Sequence, residues 1–203
     1  MKKINLILLL LLGVLYAQSV PQLHQRVQNQ YQNLSSFQAE VEQSNYFAQL
    51  KRSIVFNGKI YFRPQRMLMH FSNPSVQRLQ INAGKVQLYD ASSNTLLNSS
   101  ILPEFGKMNP VEILQHYWTK SQVRIVKQSK GMSTIELVPT KDPMIKNLQA
   151  TLDSKSGLVH SLSYEDPSGN KVTYRFSGIK LNQNIPASVW VYEYPKDVQI
   201  INQ

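Results

Sequence analysis

The chain has 203 residues, a formal net charge of +10 and no cysteine. Without cysteine there can be no disulfide, thiol nucleophile or thiolate metal site, and stability must come from an apolar core, which this length can supply. The 22 lysines and arginines are scattered, with no run of five, so the surplus reads as a solvated basic surface rather than a polybasic tract.

Lys2 and Lys3 precede an apolar run, Ile4 to Leu15, that ends in Leu15-Tyr16-Ala17. This is the layout of a secretory signal, expected to occupy residues 1–17 and to be removed;. An uncleaved anchor is the alternative, but the run is short of the roughly 20 apolar residues a spanning helix needs. Residues 18–203 then form one domain of charge +8 once Lys2 and Lys3 are gone. No cysteine follows the run to accept a lipid, and an exported, periplasmic location is expected.

Ser19-Val20-Pro21-Gln22 has the form of a capping box. Val20, Leu23, Val27, Tyr31 and Leu34 recur every three or four residues, which predicts an amphipathic helix of about four turns. The period then becomes two. Phe37, Ala39 and Val41 begin a strand, and Ile54, Phe56, Ile60 and Phe62 share a face of the next. Asn57-Gly58 is either a tight hairpin turn or a bulge within one strand. Met67, Met69 and Phe71, then Leu79 and Ile81, then Val86 and Leu88 continue the alternation, with turns at Pro64, Pro74 and 82–85. From Gly58 to Asp90 the chain thus reads as one wall of a curved antiparallel sheet lining a hydrophobic pocket.

Alternation fades between Ala91 and Asn109, a long loop carrying Leu96, Leu97, Ile101, Leu102 and Phe105. Asn109-Pro110-Val111-Glu112 signals a second helix, whose apolar side is Val111, Leu114 and Trp118. Further strands follow, around Val123 and Ile125, Ile135 and Leu137, Leu148 to Leu152, Leu158 to Tyr164 and Val172 to Phe176, with Val189 and Val191 closing the series. About ten strands joined by short turns must curl or close.

No chemistry-bearing motif stands out. His24, His70, His116 and His160 show no metal-ligand spacing, and no nucleophile elbow or phosphate-binding loop occurs. Asp142, Asp153, Asp166 and Asp197 sit in turns. No enzyme activity, metal or cofactor is expected. The aromatics near Lys59 to Arg66 alternate with the charges, so Phe56, Ile60 and Phe62 face away from Lys59 and Tyr61. That arrangement, with the exported location, argues against nucleic acid. Arg63 ends a strand just before Pro64. It is either an exposed rim residue or an arginine reaching backbone carbonyls across a cavity mouth.

Gly58-Lys59-Ile60-Tyr61-Phe62-Arg63-Pro64, the later Arg66, Phe71 and Pro74, Gly84-Lys85 to Tyr89-Asp90, and Ile185-Pro186 with Tyr192 to Val198 together resemble the periplasmic outer-membrane lipoprotein carrier family, LolA. The helix followed by Ser36, Phe37, Ala39 and Val41 fits as well. Met67 and Met69 stand where members often carry aromatics. The resemblance implies an α+β fold: an incomplete, unclosed antiparallel β-barrel with helices forming a lid over a hydrophobic cavity. It implies a cavity of Phe56, Ile60, Phe62, Met67, Met69, Phe71, Leu79, Ile81, Val86 and Leu88. The lid would be formed by Ile101, Leu102, Phe105, Val111, Leu114 and Trp118, latched by Arg63. The implied role is a monomeric, non-enzymatic carrier of acylated lipoproteins between an inner-membrane ABC release complex and the outer membrane, with an acceptor lipoprotein as a further partner. A lipid-sensing regulatory domain of the same fold is the alternative.

Overall fold

The computed structural model describes residues 19–100 and 110–203. Helix α1 (Val20–Tyr31) leads into strands β1 (Phe37–Phe47), β2 (Arg52–Arg63), β3 (Arg66–Asn73), β4 (Gln77–Asn82), β5 (Lys85–Asp90) and β6 (Thr95–Ser100). Helix α2 (Pro110–Trp118) follows, then β7 (Ser121–Ser129), β8 (Met132–Pro139), β9 (Asn147–Asp153), β10 (Val159–Glu165), β11 (Lys171–Leu181) and β12 (Gln199–Asn202). All these strands belong to one 12-stranded sheet ordered β12-β6-β5-β4-β3-β2-β1-β11-β10-β9-β8-β7. Every pairing is antiparallel except β12 on β6, and β7 and β12 end the sheet without meeting, so the barrel is unclosed.

The capping box forms as expected. Ser19 Oγ accepts the Gln22 N–H at 3.4 Å and Gln22 Oε1 accepts the Ser19 N–H at 3.2 Å. Leu23, Val27 and Tyr31 are the buried stripe. The helix stops at Tyr31, short of the expected Leu34, because Gln32 and Asn33 turn the chain into β1. Tyr31 then reaches across the sheet, its hydroxyl accepting the Val159 N–H at 2.9 Å, and burial pushes its pKa up to about 12. Gly157 makes this docking possible. A Cβ there would lie 2.6 Å from the backbone of Arg26 and Val27.

Asn57-Gly58 is a bulge rather than a hairpin turn. The β2–β3 register shifts there, and a Cβ on Gly58 would stand 2.1 Å from the His70 carbonyl oxygen. The hairpin between β1 and β2 instead turns at residues 48–51. Two expectations need correction. Residues 95–100, read as loop because Ser and Asn crowd them, form β6, with Leu96 buried. Val189 and Val191 do not close the sheet. Ala187–Trp190 is a single 3-10 turn, and the closing strand is β12.

Period two separates the side chains onto two faces. The inner face holds the main core, to which β1–β4, β8–β11 and both helices contribute. The outer face carries a smaller cluster of Leu68, Ile185 and Trp190, with Tyr61 and Val189 against it. It is covered by residues 182–198, a C-terminal strap.

Candidate functional site

The inner wall assembles from the β2–β5 meander. Ile60 and Phe62 of β2, Met67, Met69 and Phe71 of β3 and Ile81 of β4 are buried in the main core. Phe56, Leu79 and Val86 are half-buried against it, and the Phe56 and Phe71 rings stand 5.7 Å apart. A cavity of about 170 Å³ opens beside this wall, lined by Met67, Met69, Phe71, Leu79 and Leu88 with Gln43, Gln77 and Tyr174. All ten wall residues inferred from the sequence therefore lie on the inner face or line its cavity. Sequence reasoning missed Gln43 as a lining residue, because it is polar, although it continues the parity of Phe37, Ala39 and Val41. Gln77 is held by its bond from Nε2 to Asp90 Oδ2 at 2.9 Å. Burial pushes the Tyr174 phenol well above the usual range, and Tyr164 beside it adds to the shift.

Of the expected lid, Ile101, Leu102 and Phe105 lie outside the described residues. Val111, Leu114 and Trp118 are buried in the main core. Helix α2 rests on β7, β8 and β10, and its Trp118 ring stacks on His24 of α1 at 4.8 Å and 11°. Tyr117 ties its end to the β8–β9 connection, donating to Asp142 Oδ2 at 2.7 Å. Asp142 also accepts the N–H groups of Met144 and Ile145. Although burial acts to raise its pKa, these bonds hold the carboxyl below its ordinary value. Both helices thus seal one side of the inner face, while the cavity lies on the β1, β3–β5 and β11 side.

Arg63 meets the strap. It follows Phe62 in β2 and so stands on the outer face, where its guanidinium donates to the Ile185 carbonyl. Its partner among the described residues is the strap, not α2. Two further arginines, which sequence reasoning did not single out, act beside it. Arg66 lies 4.4 Å from the centre of the Trp190 ring. Arg78, only 4% exposed, donates to the Val189 carbonyl at 3.0 Å and faces the Tyr192 ring at 5.1 Å. Burial lowers the Arg78 pKa, opposed by Tyr194 and Tyr192. The signal was present in the alternation, since Arg63, Arg66 and Arg78 each occupy an outward position next to an inward apolar residue, Phe62, Met67 and Leu79.

The sequence profile of the outer membrane lipoprotein carrier protein LolA matches residues 32–193. The chain belongs to the LolA family. Among its relatives, the outer-membrane lipoprotein carrier protein of Pseudomonas fluorescens is 26% identical over 145 residues, covering 70% of this chain and 69% of that protein. The carrier protein of Cupriavidus pinatubonensis is 23% identical over 148 residues, covering 71% and 68%. Solved structures agree on the fold. An uncharacterised conserved protein of Thermus thermophilus matches with TM-score 0.58 at 14% identity, over 92% of this chain and all of that one. The Mycobacterium tuberculosis lipoprotein LppX matches with TM-score 0.51 at 11% identity, over 83% and 99%. A chain of the Pseudomonas aeruginosa MucA/MucB complex matches with TM-score 0.51 at 12% identity, over 84% and 60%.

The LolA family is described as one of lipoprotein carriers. Among the described residues no three His, Asp or Glu side chains gather as a metal site. His70 sits under the strap near Tyr192, with its pKa lowered by burial and by Arg78. His24 is likewise lowered by burial. No helix among the described residues is long and apolar enough to cross a membrane.

Proposed function

We propose that this protein is an exported, periplasmic carrier that takes the acyl chains of lipoproteins into its inner face and delivers them to the outer membrane without covalent chemistry. The observation that carries this is the continuous apolar wall of β2–β5 opening into the Met67–Met69–Leu88 cavity. Each methylene moved from water onto such a wall contributes about 0.8 kcal/mol. Met67 and Met69 suit chains of varying shape, because methionine is unbranched and polarisable.

At about 170 Å³ the cavity is smaller than the roughly 300–1,000 Å³ of ordinary ligand pockets. Loading therefore requires the inner face to widen, and α2 is the element placed to yield. It contributes an apolar side to the core, and the bond from Tyr117 to Asp142 ties its C-terminal end to the β8–β9 connection. Closed, α2 fills its side of the inner face over β7, β8 and β10; displaced, it exchanges its own apolar surface for cargo. An inner-membrane ABC release complex would be the donor and an acceptor lipoprotein the recipient.

The direct test is uptake of a fluorescent fatty-acyl probe by residues 18–203. Leu88 lines the cavity but is 38% exposed, so Leu88→Asp leaves the fold intact and should weaken the probe about tenfold. No uptake by the unaltered chain, or uptake indifferent to Leu88→Asp, would overturn the reading.

A further inference from the structure

The β1–β2 hairpin runs past its neighbour. β1 and β2 stay paired to Phe47 opposite Arg52, whereas the β2–β3 ladder reaches only Asn57 opposite Asn73. Residues 52–56 of β2 thus project with one side open. This hairpin end carries Leu50, 68% exposed, together with exposed Tyr46, Phe47, Ile54 and Val55. Single exposed apolar residues are ordinary, but five on one hairpin tip form a patch that calls for a partner.

The tip is apolar on both sides. Strand parity sends Phe47 and Ile54 to the inner side and Tyr46 and Val55 to the outer one. A groove on a protein would bury one side, whereas a bilayer surrounds an inserted wedge. Lys51 and Arg52 follow Leu50 directly, are exposed, and form no ion pair among the described residues. The carboxylates on the same rim are already engaged. Glu165 pairs with Lys146 at 2.7 Å, and Asp166 accepts from the Asn170 backbone and side chain at 2.9 and 2.8 Å. Aromatic and aliphatic side chains beside unpaired cations are what an anionic membrane interface accommodates.

We infer that this hairpin tip docks the protein on an anionic lipid bilayer and sets the cavity mouth against it. Ile54 is two residues from Phe56, whose ring meets Phe71 at 5.7 Å, and Phe71 lines the cavity. An acyl chain leaving the cavity along β2 therefore travels over apolar surface to the point of membrane contact. The cargo in this picture rests on the carrier reading; the docking does not.

The test is co-sedimentation of residues 18–203 with vesicles of phosphatidylethanolamine and phosphatidylglycerol, against phosphatidylcholine vesicles. Binding should require the anionic lipid and weaken with added salt. Leu50→Asp and Ile54→Asp should each reduce it roughly tenfold without moving the melting temperature, since both side chains are exposed. A tryptophan placed by Leu50→Trp should shift to the blue on vesicles. Absence of vesicle binding, binding unaffected by both aspartates, or variants that keep vesicle binding while losing a membrane-protein partner would each overturn the inference. Leu50→Asp should still take up the fatty-acyl probe. Vesicle binding without probe uptake would sink the carrier reading alone, and probe uptake without vesicle binding would sink the docking alone.

Discussion

Strand β3 sends Met67, Met69 and Phe71 inward to an apolar core shared with both helices, and Leu68 and His70 outward beneath the strap. The inward contacts are non-directional, so their energy changes little when side chains slide or exchange partners. The outward contacts are directional. Arginines donate to the carbonyls of Ile185 and Val189 and lie over the rings of Trp190 and Tyr192. One face of a single sheet is thereby suited to repacking around cargo, while the other is pinned. The strap also carries the chain to β12, which pairs with β6 at one edge of the sheet.

The largest effect should come from Leu114→Ala. This side chain is fully buried on α2, and such truncations cost about 2–5 kcal/mol, readable as a fall in the urea midpoint. Because the inner face is the adaptable one, the cavity left behind should also raise uptake of the acyl probe. Lower stability with unchanged uptake would mean a sealed core, and the contrast between the faces would fail.

Arg78→Ala probes the other face. It removes the bond to the Val189 carbonyl and the contact with Tyr192. Hydrogen bonds to charged groups are worth about 1.5–3 kcal/mol, so the loss should approach that range. Its location matters more than its size. Proteolysis should quicken within residues 182–198 while acyl-probe uptake stays constant. A change in uptake would show that the strap and the inner face are coupled.

Period two made most of this contrast legible in advance. Phe56, Ile60 and Phe62 announced an inward face, and the capping box at Ser19 and Gln22 announced where α1 begins. Reading stalled where side chains stop reporting burial. Strand β6 is made of Thr, Leu, Asn and Ser, and it exists because β5 and β12 hydrogen-bond it from both sides. β12 in turn depends on a parallel partner about 100 residues away, which no local pattern encodes. Leu34 satisfied the helical stripe, but a stripe does not say where turn residues will end it. Arg63 teaches a different lesson. Its parity places it outward, opposite to Phe62, where it meets the Ile185 carbonyl; the lid segment 101–109 to which the resemblance also assigns it lies outside the described residues.

The smallest effect concerns pH and the junction of the helices. His24 stacks on Trp118, and burial holds its pKa below the ordinary 6.5. Above pH 6.5 the imidazole is neutral in folded and unfolded chains alike, and its packing contributes in full. As the pH falls below that value the unfolded chain takes up the proton first, so stability declines until the pH passes the lower folded value. His70 acts in the same direction, through burial and Arg78. The carboxyls of Asp90, Asp142, Asp153 and Asp166 lie below 3.8 and lose their contribution only in stronger acid. Urea midpoints should therefore drop modestly between about pH 7 and pH 5. His24→Phe, which keeps a flat ring on Trp118, should make that decline shallower without abolishing it, because His70 remains. An identical slope in His24→Phe would place the pH response wholly under the strap and leave the helix junction indifferent to protonation.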